Sequence, residues 1–261
     1  MTSYKTAKKK VRRKKMIDIN EKSFCSQLSQ IFKTNGMGAL LNSEKSEKFI
    51  ALTRRMLEEN EKYNLTAITE PKKIILNHYA DCATLASRIK KGAKIIDVGC
   101  GAGFPTLPLA IIRDDIEILA MDSTQKRINY VEETARLLSL SNVTAVTMRA
   151  EDGAKMSEYR ERFDYATARA VAELRTLTEL CLGYVKVGGE MIAMKGKNAE
   201  FELASAKKAI AVMGGKDVRV ENVTLVAEDE ELSHPLIIIS KKTKTPAAYP
   251  RVFAQISKKP L

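Results

Sequence analysis

The 261-residue chain contains only four cysteines and two histidines. Cys25, Cys82, Cys100 and Cys181 lie far apart with no CxxC pair, and neither His78 nor His234 completes a metal-ligand cluster with them. A disulfide scaffold and a zinc site are therefore excluded as organising devices, and the thiols are expected to be reduced and mostly structural. Long apolar runs are missing too: none approaches the roughly 18 to 20 residues of a membrane span. The basic N-terminus leads into "MIDINEKSF" rather than the apolar stretch of a secretory signal, so a cytoplasmic protein without membrane association is expected. Acids are absent from both ends. Residues 1–16 hold eight Lys or Arg, and residues 241–261 hold six. The remaining 30 basic residues face all 32 acids, so the formal charge of +12 resides at the ends of a near-neutral body. Such ends suit polyanion binding, with a merely solubilising tail as the alternative for "KKKVRRKK".

Apolar residues make up 44% of the chain and charged residues 29%, ordinary for a soluble globular protein long enough to bury a full core. Residues 1–18, nearly devoid of apolar side chains, are expected to form a basic disordered tail. A helical region over 19–70 follows, with helices over about 21–32 and 44–62. The second is capped by Ser43 and carries Phe49, Leu52, Met56 and Leu57 at helical spacing. Pro71 suits the first turn of another helix bearing Ile74, Ile75, Tyr79 and Leu85. From Ala93 the pattern alternates. The strand-like runs "AKIIDVG", "IEILAMD", "NVTAVTMR", "FDYATARA" and "GEMIAMKG" are separated by helical patterns, the clearest over 123–138. After a helix over about 199–213, "VRVENVTLVA" and "HPLIIISKK" read as two closing strands. Residues 71–242 thus predict a doubly wound α/β domain with a mostly parallel, seven-stranded sheet behind an N-terminal helical cap. Residues 243–261 form a basic C-terminal tail.

In "IIDVGCGAGFPTLPLA" an apolar strand ends at Asp97, and Gly99, Gly101 and Gly103 follow at alternate positions. Ligands of such sheets bind beyond the carboxyl ends of the strands, where glycine lets the backbone approach closely. A dinucleotide turn would need a glycine at 104, where Phe104 stands. A second acid, Asp122, ends the next strand-like run, positioned to accept both hydroxyls of an adenosine ribose. This pair of signals resembles the class I S-adenosylmethionine-dependent methyltransferases, which have a Rossmann-like fold. A nicotinamide-dependent oxidoreductase is the rival reading of the turn.

The surrounding motifs narrow the resemblance. "NLTAIT" and "HYADC" precede the turn, and "GFPTLPLAI", "MDSTQKRINYV", "RAEDGA", "FDYATARAVAELRTLTEL", "AMKG" and "YPRVFAQISKKPL" follow it. In this order they resemble the glucose-inhibited division protein B family, bacterial methyltransferases of small-subunit ribosomal RNA, over about residues 45–261. The resemblance implies S-adenosylmethionine as cofactor, and methyl transfer to N7 of one guanine in a 16S rRNA loop near the decoding centre. The implied partner is 16S rRNA or the small ribosomal subunit; a monomer is expected. The resemblance also implies that Gly99 and Phe104 hold the cofactor in the turn, Asp122 its ribose, and Ala150 and Glu151 its adenine, with Arg169 at its reactive end; Gly101 and Gly103 of the same turn are further candidate cofactor contacts. Thr106 stands where the family has glycine, and Ala254 and Ile256 replace a glycine and a proline of the family's tail.

Guanine N7 offers an unprotonated in-plane lone pair, so no general base is required and positioning can carry catalysis, at best about 7 to 11 kcal/mol. "TARAVA" at 167–172 lacks the Asn or Asp-Pro-Pro-aromatic loop of exocyclic-amine methyltransferases. Cys181, in an expected helix, reads as core rather than as a nucleophile. Arg169 is the candidate positioning residue, meeting a substrate or cofactor carboxylate, with a structural ion pair as the alternative. Asp97 orients the turn or meets the methionine ammonium. His78, Asn64 and Thr66 shape the site or serve as core, turn and cap residues. Lys195, Arg251, Lys258 and Lys259 are candidate contacts to rRNA phosphate, with simple solvation the alternative for Lys195. No metal is expected. A non-catalytic rRNA-binding assembly factor remains the reading from another class, although the intact turn, Asp122 and Arg169 argue against it.

Overall fold

A computed structural model describes residues 19–261; the expected basic tail at 1–18 lies outside the described residues. Helix α1, Glu21–Thr34, buries Phe24, Leu28, Ile31 and Phe32, with Asn20 as its N-cap. Helix α2, Ser43–Tyr63, is capped by Asn42, whose side chain accepts the Lys45 N–H at 2.8 Å. Ser43, the expected cap, is instead the first helical residue. Helix α2 ends at Asn64 in the left-handed region (φ 48°), a conformation asparagine tolerates. Pro71 opens α3, Pro71–Ile74, which widens into a π-helical turn, Ile75–Ala80, and closes as α4, Asp81–Ala83. Such a turn rotates the side chains that follow it, and His78 lies inside it.

The alternating segment runs β1 (Lys94–Val98), α5 (Thr106–Ile112), β2 (Glu117–Asp122), α6 (Gln125–Leu137), β3 (Val143–Thr147), α7 (Ala150–Gly153), β4 (Phe163–Arg169), α8 (Leu174–Cys181), β5 (Val185–Met194), α9 (Ala199–Val212), β6 (Gly215–Ala227) and β7 (Glu230–Lys241). The seven strands form one sheet in the order β3-β2-β1-β4-β5-β7-β6. Strands β1 to β5 pair in parallel, and β7 lies antiparallel between β5 and β6. The expected sheet is thus observed, and its order reverses between β1 and β4, where ligand crevices form.

Successive strand residues point to opposite faces, and both faces are covered. Ile95 joins the layer built with α1, α2 and α5, including Phe32, Phe49, Tyr79 and Leu107. Ile96 joins the opposite layer with Leu177, Cys181 and Tyr184. The N-terminal helices therefore share their core with the sheet. Helix α1 also reaches the far edge strand. The Asn35 side chain donates to the Val226 carbonyl at 2.8 Å and accepts the Val226 N–H at 2.9 Å, meeting both backbone groups of β6. After β7 the chain crosses back over α8 and ends in a short helix, α10, Phe253–Lys258. Ala254 and Ile256 permit that helix where glycine and proline would oppose it, and Ile256 is fully buried in the α8 layer.

Candidate active site

The glycine turn leaves β1 beside the switch in strand order. The Gly99 and Cys100 N–H groups both donate to the Met121 carbonyl, at 2.8 and 2.9 Å, tying the turn to the end of β2. Gly99 (φ 75°) has no room for a side chain, since a Cβ would sit 2.8 Å from Val171 Cγ2. Gly101 (φ 53°) opens onto a cavity, and its N–H donates to Asp122 Oδ2 at 3.1 Å. Asp122 also accepts the Thr124 N–H at 2.8 Å and meets Arg127 at 3.3 Å. The two expected carboxylate neighbours of the turn thus differ in kind: Asp122 borders a cavity, and Asp97 does not.

Two cavities adjoin at Gly99, Arg127 and Ala170. The smaller, about 270 Å³, is lined by Asp122, Met148, Ala150, Glu151, Val171, Leu180 and Phe253 among others. The larger, about 610 Å³, is lined by Lys62, Thr66, His78, Gly101, Phe104, Lys126, Arg127 and Arg169, and by no carboxylate. An adenosyl group fits the smaller one chemically, with a carboxylate for ribose hydroxyls and apolar side chains for a flat base. The bare backbone at Gly99 and Gly101 joins it to a cationic chamber. Gly103 lies behind the turn, its missing Cβ facing Leu107 and Val131 rather than a cavity. Lys62, Arg127, Val171 and Phe253 were not expected at the site. Arg127, with Lys126 beside it, follows Asp122 within "MDSTQKR", and Val171 follows Arg169 by two residues, so these had local signals, whereas Lys62 and Phe253 arrive from distant segments.

Arg169 ends β4 facing the larger cavity, but its guanidinium is anchored. Nη1 donates to Asp81 Oδ2 at 2.9 Å and to the Asn77 carbonyl at 3.1 Å, and Nη2 lies 3.2 Å from His78 Nδ1. It also sits 5.1 Å over the Phe104 ring, which stacks on His78 with centroids 4.5 Å apart. Arg169 therefore makes the structural ion pair that ranked as its alternative, while still forming part of the cavity wall. Phe104 supports the wall from beneath, replacing the third glycine of a dinucleotide turn with a ring no glycine could imitate. Asp81 Oδ1 faces His234 Nε2 at 2.6 Å. Burial works against protonation of His234, but the hydrogen-bonding and charge of Asp81 outweigh it and raise its pKa above 6.5. His78 goes the other way: burial, then the Arg169 charge, lowers its pKa to about 4. It is neutral at pH 7, with Nε2 held 3.0 Å from Thr66 Oγ1. His78 and Thr66 thus line the larger cavity, as does Asn64, which also ends α2, while His234 meets Asp81 behind that wall.

Asp97 is 1% exposed and reaches neither cavity. Its Oδ2 accepts the Thr106 hydroxyl at 2.6 Å, and Oδ1 has no partner. Direct contact with a ligand's ammonium is therefore corrected to an orienting role, coupling β1 to the first residue of α5. Thr106 in place of glycine gains a reason here, since glycine would leave the carboxylate with no hydroxyl. Burial raises the Asp97 pKa to about 6, against the hydrogen bonds from Thr106 and the nearby Arg169 charge.

Two expected phosphate contacts are corrected. Lys195 points inward, pairing with Glu202 at 2.6 Å and donating to the Ala172 carbonyl at 2.8 Å. Arg251 neutralises the fully buried Glu179, with its backbone N–H and Nε at 2.9 Å from Oε1 and Nη2 at 2.7 Å from Oε2. A carboxylate buried in α8 needs such a partner, and the side chain that supplies it is turned away from solvent phosphate. Lys258 and Lys259 are exposed. Cys181 is fully buried in α8, and burial pushes its thiol pKa up, so it is core as expected. Among the described residues no group of His, Cys, Asp or Glu is arranged to hold a metal ion, and no helix is long and apolar enough to cross a membrane.

Solved structures share the fold. A SAM-dependent O-methyltransferase from Thermotoga maritima superposes with a TM-score of 0.50 at 16% identity, covering 73% of this chain and 72% of the other. TYW2 from P. horikoshii, in complex with MeSAdo, gives 0.50 at 14% identity and 62% of both chains. At these identities the likeness concerns the fold alone. Much nearer in sequence is the ribosomal RNA small subunit methyltransferase G of Clostridium perfringens (strain SM101 / Type A), 45% identical over 229 residues, 87% of this chain and 95% of the relative. The protein of the same description from Clostridium beijerinckii is 44% identical over 227 residues, 86% of this chain and 94% of the relative. The family described as GidB, rRNA small subunit methyltransferase G, matches residues 45–232, and the chain belongs to that family.

Proposed function

We propose that this chain methylates N7 of one guanine in a 16S rRNA loop near the decoding centre, using S-adenosylmethionine, as a monomer in the cytoplasm. The observation that carries this reading is the junction of the two cavities at Gly99: a niche lined by Asp122, Glu151 and apolar side chains opens into a chamber lined by Lys62, Lys126, Arg127 and Arg169, of which Arg127 and Arg169 also pair with Asp122 and Asp81. Positive chambers of this kind draw the phosphate backbone, which fixes position while leaving base recognition to other contacts. The cofactor supplies an electrophilic methyl group on a cationic sulfonium. An unprotonated N7 lone pair would accept that methyl as the carbon–sulfur bond pair left on sulfur, so this chain's residues would have only to hold and align the two partners. No proton moves. His78, neutral and held by Thr66 and Arg169, is accordingly assigned a wall rather than a base. Asp122 holds the ribose, Ala150 and Glu151 border the adenine, and Arg169 with Phe104 sets the shape of the reacting chamber. Catalysis rests on alignment of the reacting atoms.

The test is transfer of a radiolabelled methyl group by the purified protein to small-subunit rRNA from cells lacking the enzyme. A single label on a guanine N7 is expected. A label on another atom, or on another RNA, overturns the assignment.

A further inference from the structure

The C-terminal tail was expected to face RNA, yet one of its residues lines the smaller cavity. Phe253, the first residue of α10, shares that wall with Val171, Leu180 and Asp122. It is 43% exposed, and Val171 is 38% exposed, whereas most large apolar side chains of the body are buried. Two apolar groups left partly open to water at the mouth of one niche mark a surface awaiting a flat apolar ligand.

The position of Phe253 is held from both sides. Two residues before it, Arg251 grips Glu179 of α8; three residues after it, Ile256 is fully buried in the α8 layer. Leu180, next to Glu179, lines the same cavity. The tail is thus pinned to the helix that supplies another part of the wall, and the ring is presented with little freedom. An adenine ring can stack on an aromatic face regardless of its hydrogen-bonding edge, whereas Glu151 and Asp122 supply the polar neighbours.

We infer that Phe253 is a cofactor-binding residue, and that α10 forms one wall of the adenine niche. The inference rests on the reading that the adenosine half of the cofactor occupies the smaller cavity. It gives the tail a role in cofactor affinity distinct from any contact of Lys258 and Lys259 with phosphate.

The chain has no tryptophan, so Phe253→Trp introduces a single indole at the niche. Saturable quenching of its fluorescence by S-adenosylmethionine and by adenosine is expected, with the dissociation constants found by calorimetry. Phe253→Ala should weaken both ligands by a common factor of about 5 or more, the loss of one base–aromatic stack. Phe253→Tyr should restore affinity, and the melting temperature of each variant should match the parent because Arg251 and Ile256 remain. Asp122→Ala serves as the reference. If it abolishes cofactor binding while Phe253→Ala leaves it intact, the inference fails and the placement of the cofactor stands. If Asp122→Ala binds S-adenosylmethionine undiminished, the placement itself fails. Weakened rRNA binding by Phe253→Ala with unchanged cofactor affinity would also overturn the inference, making the ring a platform for RNA bases.

Discussion

Replacing Asp97 by asparagine should change how stability depends on pH, in the opposite sense to the loss of a salt-bridged aspartate. The carboxyl is 1% exposed, holds one hydroxyl at 2.6 Å and leaves its other oxygen unpartnered. Burial outweighs the hydrogen bonds from Thr106 and lifts its pKa from 3.8 to about 6. In the unfolded chain Asp97 loses its proton near pH 4, whereas in the folded chain it keeps the proton until about pH 6. Between those values the folded state binds more protons, so stability is greatest below pH 4 and falls as pH rises through 6. The gap corresponds to about 3 kcal/mol as an order of magnitude. Asparagine cannot ionise, and the cost of burying its amide does not vary with pH. The unfolding free energy of the parent minus that of Asp97→Asn should therefore fall by up to about 3 kcal/mol between pH 4 and pH 7. His78, whose pKa is lowered to about 4, adds stability with rising pH in both chains and cancels in the difference. Urea unfolding followed by circular dichroism at several pH values gives the comparison. A difference that stays flat, or that rises with pH, would refute the account of this carboxyl.

Other expectations concern the two ends of the chain. Arg251→Ala should destabilise the protein by about 3 kcal/mol or more, because it leaves the buried Glu179 without its cation. Adding Glu179→Gln should recover part of that loss in thermal melts, and a double variant no more stable than Arg251→Ala would contradict the pairing. Deleting residues 1–15 should flatten the dependence of RNA affinity on salt by about 0.7 in logarithmic slope for each phosphate contact removed from a single strand. An unchanged slope in filter-binding titrations would make that segment a bystander.

Periodic features could be read directly from the residues. Every strand expected from "AKIIDVG" to "HPLIIISKK" is present; the inner strands read as apolar runs because both their faces are covered, whereas the edge strands β3 and β6 show apolar and polar residues interleaved. The turn at Gly99 and the acid at Asp122 were readable for the same local reason, each lying at a strand end. Partnerships across the fold were not. Nothing near Arg169 announces Asp81, 88 residues away, and nothing near Arg251 announces Glu179. A basic residue at a strand end or in a basic tail looks alike whether it meets phosphate or a buried carboxylate, which is why Lys195 and Arg251 were misassigned. The π-helical turn at Ile75–Ala80 was equally hidden, since its side-chain pattern differs from that of an α-helix by one residue. Thr106, a departure from the family pattern, became intelligible only when Asp97 was seen beside it.

The amide of Asn35 bears on how the molecule stays apart from its neighbours. Strand β6 is a 13-residue edge, and such an edge offers its free backbone groups to any extended chain that drifts alongside. At Val226 both of those groups are already engaged by one side chain. An intruding strand would have to break two hydrogen bonds there before forming its own. Asn35 thus acts as a stopper on the sheet, limiting the length of edge on which aggregation could start, and it does so from the loop that follows α1 without adding a strand.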